Sequence, residues 1–416
     1  MKIILKVSFA TLVLLAAVYF VGQQAAATAE RYRLDRSQTT DTPVTAWRFF
    51  DSATSAESQF ISASESVIHF QTAGASQKLD LPPNPLPVQF SQNGKYMAMQ
   101  SFPRPVEKSP TPGILQIDIT DRTGNALYAL DQEIHYDQKY PYVAISDFDG
   151  AAILGNNSEG ILRFFNNSGQ LLREVQLFSD ASYSMERIMG IDISADGSRV
   201  AVIAGKRGAS SAQSAVPNPS GDPHLFLFTN SGEELWRQPL PDYSASNVII
   251  SGNAETIIVG TYTAGLPEGF RKRSFLFDPQ GAQIAEIPML LKQARFSSDA
   301  NTALLWNNQD IRSINTVDGT ENWQQSISRS EGMLCAAALS EDGSRIAFLI
   351  GRNKHGRNGF MFSEPLLRVV DQSGKILQEI SMPEQQFKTP ALFLSPNASQ
   401  IRIGFLDTYQ IYQEIQ

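Results

Sequence analysis

From residue 46 onward the chain is a succession of short apolar runs cut by polar turns, and one kind of turn returns at regular spacing. An apolar run ends in Ser, a turn rich in Asp, Asn or Gly follows, and a second apolar run begins. The first three instances are Phe90-Ser91-Gln92-Asn93-Gly94, Ile145-Ser146-Asp147-Phe148-Asp149-Gly150 and Ile193-Ser194-Ala195-Asp196-Gly197. Then come Ile250-Ser251-Gly252-Asn253, Phe296-Ser297-Ser298-Asp299, Leu339-Ser340-Glu341-Asp342-Gly343 and Leu394-Ser395-Pro396-Asn397. Asp or Asn followed by Gly accepts the positive φ of a tight turn, so each segment predicts a β-hairpin. The serines recur every 43 to 57 residues, which is the period of a propeller blade.

A second series of turns interleaves with the first. Gly74, Gly124, Gly169, Gly232, Gly281, Gly319 and Gly374 each follow one strand, such as Leu162-Arg163-Phe164-Phe165, and precede another, such as Leu171-Leu172-Arg173-Glu174-Val175. Inner and outer hairpins in alternation give four strands per repeat. The expected fold is all-β, a single β-propeller of four-stranded antiparallel blades occupying residues 46–416. Its inner strands are apolar because neighbouring blades cover both of their faces. Counting third strands gives eight blades, with seven as the alternative. Blade one would open with the hairpin Trp47–Asp51 and Gln59–Ala63. The last blade, from Gln386, runs out after three strands. Tyr32–Asp35, within a linker at residues 30–45, is the strand available to complete it and leave no open edge.

The outer hairpins Ile314-Asn315-Thr316-Val317-Asp318-Gly319-Thr320-Glu321-Asn322-Trp323 and Leu227-Phe228-Thr229-Asn230-Ser231-Gly232-Glu233-Glu234-Leu235-Trp236 resemble the repeats of quinoprotein-type propellers. The Ser-x-Asp-Gly inner turns resemble WD40-like and YVTN-like bacterial repeats, although a GH…WD signature is absent. Quinoprotein dehydrogenases carry a vicinal disulfide beside their cofactor, whereas Cys335 stands alone in this chain. The resemblance therefore implies a non-enzymatic, scaffold-type member, such as the propeller subunit of outer-membrane assembly machinery, with no cofactor.

The first 29 residues break the hairpin pattern. Lys2 and Lys6 precede an almost wholly apolar run from Val7 to Val21, and Ala27-Thr28-Ala29 offers small side chains for cleavage. That order is expected of a secretory signal or, uncleaved, of a membrane anchor; either places the rest outside the cytoplasm. Net charge is −8, or −10 without that segment, which argues against general nucleic-acid binding. A single cysteine allows no internal disulfide. Cys335 lies in Met333-Leu334-Cys335-Ala336-Ala337-Ala338 and is expected to be a buried, inert thiol of an inner strand.

Signatures of catalysis are sparse. His69, His135, His224 and His355 fall in different repeats without metal-ligand spacing, so no metal site is expected. There is no G-x-S-x-G elbow and no phosphate-binding Gly loop. Asp147 and Asp149 read as turn caps before they read as a cation site. Trp47, Trp236, Trp306 and Trp323 read as packing between blades. Asn156, Asn166 and Asn397 each begin an Asn-x-Ser triplet, as Asn- and Ser-rich turns do by coincidence.

Four connections between second and third strands are long: 101–113, 205–223, 262–273 and 351–364. In a propeller all of them emerge on one face, where insertions tend to bind partners. They carry Arg104, Lys108, Lys206, Arg207, Arg271, Lys272, Arg273, Arg352, Lys354 and Arg357 against Glu107, Asp222, Glu268 and Glu364. The connections sum to +6 and the remainder of the chain to −14, an asymmetry that would steer an anionic partner to that face. Phe102, Leu266, Phe270, Phe360 and Phe362 are expected to add apolar contact area there. The function expected is thus an extracytoplasmic binding or scaffold protein engaging a protein or an anionic envelope component. The alternative is an enzyme at the channel mouth, a divergent quinoprotein or a sugar-acting lyase or hydrolase, which requires carboxylates, His or Tyr converging from several blades.

Overall fold

Strands this short satisfy their backbone groups only by pairing sideways, and each blade does so in the same order. A computed structural model describes residues 30–415 except 41–42, 51–58, 65, 73–74, 83–84, 103–111, 135–139, 157–159, 179–185, 207–220, 241–243, 267–268, 357–358 and 389. Eight four-stranded antiparallel sheets form eight blades of a propeller. Blades one to seven span 46–80, 89–134, 142–176, 186–239, 244–287, 293–326 and 333–381. Blade eight takes Ala391–Leu394, Gln400–Gly404 and Thr408–Glu414 from the end of the chain and Tyr32–Thr39 from its beginning. Tyr32 lies opposite Glu414 and Thr39 opposite Thr408. The strand read at Tyr32–Asp35 therefore runs on to Thr39 and supplies the outer edge of the last blade.

The two kinds of turn share one face. The amide of Arg122, in an outer turn, donates to Lys95 O of the inner turn of its blade at 2.8 Å, and Thr316 N donates to Asn301 O at 3.0 Å. Connections between second and third strands occupy the opposite face with the links between blades; Ile327 N, for example, donates to Gln309 O at 2.6 Å. We call these the turn face and the hairpin face.

The recurring serine has a physical cause. Ser194 Oγ accepts from Arg199 N at 3.1 Å, closing the turn, and donates to Asp196 Oδ1 at 2.6 Å. The same pair of bonds recurs at Ser297 with Thr302 and Asp299, and at Ser340 with Arg345 and Asp342. The Ser297 and Ser340 hydroxyls hold the Asp299 and Asp342 carboxyls below the usual carboxylate range. Gly197 and Gly343 end these turns at φ +70°. In blades five, six and eight the equivalent residues are Ala254, Ala300 and Ala398, with φ between 56° and 62°. Alanine in this region costs about 1–2 kcal/mol, a strain the sequence pattern did not foretell.

Blades interlock through the outer turns. Gly232, Gly281 and Gly374, with φ from +79° to +86°, lie on Phe164, Trp236 and Trp323 of the preceding blades. A Cβ at Gly374 would stand 2.8 Å from Trp323 ring carbons, so glycine is needed here for space as well as for backbone. Gly74 lies outside the described residues. Trp47 bonds through Nε1 to Phe405 O at 2.6 Å across the seam between blades one and eight, and Trp306 is buried. The tryptophans thus pack, as read.

Two of the long connections are not loops. In blade five the ladder continues through Thr261–Arg273, Tyr262–Lys272 and Thr263–Arg271 to Leu266–Gly269. In blade seven it runs from Arg352–Ser363 to Gly356–Gly359, carrying that hairpin about 16 Å beyond Gly351. Charged residues here sit on paired strands, so a count of charge and glycine mistook strand for loop. Phe102 and Phe362 also differ from expectation, because both pack inward. Phe102 is buried, and Phe362 pairs by backbone with Phe387, with rings 5.7 Å apart.

Candidate functional site

Between the raised hairpins of blades five and seven, blade six turns back at once through Asn307, Asn308 and Gln309. Two walls and a low floor leave a cleft of about 950 Å³ on the hairpin face. Lys272 enters from blade five, Lys292 and Arg329 from the links on either side of blade six, and Arg352 from blade seven. All four are exposed. Asp310 is the carboxylate among the lining residues, and its Oδ1 already accepts from Ser326 Oγ at 2.7 Å. Lys292 Nζ donates to Asn308 Oδ1 at 2.8 Å, so an amide rather than an acid orients it. Arg352 pairs with Glu364 at 3.0 Å, but both side chains remain half solvated and the pair is weak. Asn247, Asn307, Asn353 and Gln309 add amides, and Met289 and Leu291 are buried beneath.

The ten cations read from the sequence are therefore divided. Lys272 and Arg352 line the cleft. Arg271 is exposed on the blade five hairpin, while Arg273 pairs with Glu286 at 3.1 Å and stacks on Phe275. Lys206 stands in register with Gly221 and Lys354 with Met361. Arg104, Lys108, Arg207 and Arg357 lie outside the described residues, as do the side chains of Leu266, Phe270 and Phe360. Lys292 and Arg329 escaped notice because they sit on links between blades. The rule that links share the hairpin face would have found them.

The inner strands of blades one to six surround a second cavity, an axial channel of about 900 Å³. Its charged groups are Arg48, Asp192 and Arg295, with Asp196 and Glu341 at the turn-face rim. Asp192 Oδ2 accepts from Ile250 N at 2.9 Å and from Gln92 Nε2 at 3.2 Å, and Oδ1 accepts from Ile193 N at 3.0 Å. Burial nevertheless pushes this carboxyl up to about 7. Burial, and then the charge of Arg295, lowers Arg48 to about 10. By accessible surface Arg295 is exposed and the other two half-buried. Solvent thus reaches these groups along the lumen while protein encloses them. Each interrupts an apolar run, as in Trp47-Arg48-Phe49 and Ile191-Asp192-Ile193, and that interruption was the available signal. No His or Tyr lines either cavity among the described residues.

Asp147 is a cap, though for a neighbour rather than for itself. Its carboxylate accepts from Ser91 Oγ and, at 2.6 Å, from Asn93 N, both in the inner turn of blade two. Asp149 caps Ala151 N at 3.0 Å. Asn166 and Asn397 cap Ser168 N and Ser399 N, each at 3.1 Å. Among the described residues no group of three His, Cys, Asp or Glu could hold a metal ion. Cys335 lies in the inner strand Met333–Leu339 but is half-buried rather than fully buried. Burial pushes its thiol up to about 12, far from a nucleophile's range.

No family model matches the chain, and no curated protein matches it in sequence. Among solved structures it is similar to the C-terminal WD40 domain of Sif2, with a TM-score of 0.57 and 11% identity over 93% of this chain and 99% of that one. It is similar also to the Dos1 propeller, with a TM-score of 0.55 and 11% identity over 92% and 95%. The chain has the β-propeller fold of WD40 domains. A likeness at this identity speaks for fold, and function has to be argued from the cavities.

Proposed function

We propose that this chain is a binding or scaffold propeller that works outside the cytoplasm and holds a protein or an anionic envelope component in the cleft of its hairpin face. One observation carries the reading: Lys272, Lys292, Arg329 and Arg352 arrive from four separate segments around a single concave surface. Cations gathered in a cleft focus potential and draw in an anionic partner, while the amides between them supply directional bonds. The outer hairpins ending in Trp236 and Trp323, which resemble quinoprotein repeats, serve the scaffold in this reading. Trp236 Nε1 donates to Pro279 O of the next blade at 2.9 Å.

Export rests on the pattern of residues 1–29. The strand Tyr32–Thr39 starts opposite Glu414, on the turn face. A tether through the preceding residues would therefore leave the hairpin face pointing away from its own membrane.

The test is affinity capture from the native envelope with wild type and with Lys272→Glu, Arg329→Glu and Arg352→Glu combined. The variant should lose the captured partner, and wild-type capture should weaken as salt screens the cleft. Equal capture by both proteins sinks the reading.

A further inference from the structure

The inner strand of blade seven begins at Met333, opposite Gly351, while the second strand runs on past that point to Gly356. Among the described residues no strand pairs with this continuation on its axis side. Its other neighbour is the third strand, with Asn353 opposite Phe362 and His355 opposite Phe360. Phe362 N donates to Phe387 O at 2.8 Å, and Phe362 O accepts from Phe387 N at 3.0 Å. The main-chain groups of Phe362 thus point outward, away from Asn353. Opposed residues of an antiparallel ladder either bond to each other or both turn away. Asn353 N–H and C=O therefore point to the open side, and so, two residues on, do those of His355. The outer edge of the raised hairpin is covered at Phe362; the inner edge is bare.

That bare edge borders the hairpin-face cleft, which Arg352 and Asn353 both line. An unpaired edge is a template for a further strand, and it recognises peptide backbone rather than phosphate or sugar. The surrounding charge selects further. Of Lys272, Lys292, Arg329 and Arg352, only Arg352 has an ion-pair partner among the described residues, Glu364. Glu331, in the link that carries Arg329, is drawn away to Arg368. A bulge sets the hairpin on its blade: Ile350 faces Leu366 but Arg352 faces Ser363, and Glu364 holds φ +51°. Backbone strain of this kind persists where the surrounding geometry fixes it.

We propose that the cleft receives an extended acidic peptide of a partner protein, added as a strand to the open edge at Asn353 and His355. The assignment rests on the reading of this cleft as the binding surface and narrows its occupant to a peptide. Successive side chains of a strand turn to opposite faces. Acids at every second position then face blade six, where Lys292 and Arg329 stand on the links at either side. Lys272 closes the far wall from blade five.

The test is fluorescence anisotropy of the full chain with a labelled decapeptide of alternating Glu and Thr. The same peptide N-methylated throughout, phosphatidylglycerol vesicles and polyphosphate are the comparison probes. The plain peptide should bind, and the N-methylated one, equal in charge, should bind at least about tenfold more weakly, because it has no N–H to donate. Asn353→Pro removes the open N–H, leaves the pairing with Phe362 intact and should weaken binding about fivefold. Lys292→Glu with Arg329→Glu should weaken it about tenfold or more. If Asn353→Pro does not fold, the N-methylated peptide asks the same question of the unaltered protein. Strand addition is overturned, with the cleft reading intact, if the N-methylated peptide and Asn353→Pro bind as tightly as their parents. A peptide occupant is overturned if the charge variant binds the peptide equally, or if vesicles or polyphosphate bind through Lys292 and Arg329 and no peptide does. Binding of none of these probes sinks the cleft reading as well.

Discussion

Gln378, on the outer strand of blade seven, grips the backbone of Tyr32, on the outer strand of blade eight, with both ends of its amide. Oε1 accepts from Tyr32 N at 2.6 Å and from Arg31 N at 2.9 Å, while Nε2 donates to Tyr32 O at 2.9 Å. The Tyr32 ring is buried, and its hydroxyl donates to Ala398 O at 2.6 Å. One side chain thus fastens the strand that comes from the other end of the chain. Gln378→Ala should cost about 2–3 kcal/mol, because it leaves buried backbone groups unbonded, and Tyr32→Phe about 1 kcal/mol. Urea unfolding measures both. Values near zero for Gln378→Ala would mean that the seam is held elsewhere.

Two glycines at similar φ should respond very differently to alanine. At Gly343 the nearest atom to a new Cβ is Thr302 Oγ1 at 3.5 Å, an ordinary contact, and alanine already occupies the equivalent turn in blades five, six and eight. Gly343→Ala should therefore cost only the backbone strain, about 1 kcal/mol. Gly374→Ala adds a clash with the Trp323 ring and should cost about 3 kcal/mol. Chemical denaturation of the two variants side by side decides the order.

Asp192 should make stability depend on pH in a particular direction. Its folded-state value is raised to about 7 by burial, whereas an unfolded aspartate titrates near about 4. The folded chain holds this proton more tightly, so the stabilisation is complete below about pH 4 and is lost as pH rises through about 7. The difference in melting temperature between wild type and Asp192→Asn should shift against the wild type across that window. The capped Asp299 and Asp342, held low, contribute the opposite slope at acid pH and cancel in the comparison. A difference that stays flat with pH would show that Asp192 is ionised in the fold.

The Cys335 thiol, raised to about 12 by burial, should resist alkylation at pH 8. Relative to a free cysteine its thiolate fraction is lower on the order of a thousandfold. Iodoacetamide labelling followed by mass spectrometry should find it modified only after denaturation. Rapid labelling of the folded chain would mean that the blade seven inner strand opens locally.

The parts legible in the sequence were those where one residue type serves one local purpose. The serine that ends the inner strands of blades two to eight was visible because its hydroxyl must close the turn that follows. The strand at Tyr32 was visible because the last blade lacked one. The raised hairpins at 262–273 and 351–364 were misread because Gly, Pro and charge look the same in a loop and in a two-stranded ribbon. Arg48, Asp192 and Arg295 were missed because a lone charge in an apolar strand becomes meaningful only when other blades bring its counterparts around the same axis. The cap that Asp147 provides for Ser91, 56 positions away, has no local trace at all.

The pairing of residues 32–39 with 408–414 also fixes an order of events during synthesis. Seven sheets can assemble as the chain lengthens, but the eighth must wait for the final residues. Until they emerge, the nascent protein is an open arc with an unmated strand at its start. That bare edge is where misassembly with a second nascent chain would begin.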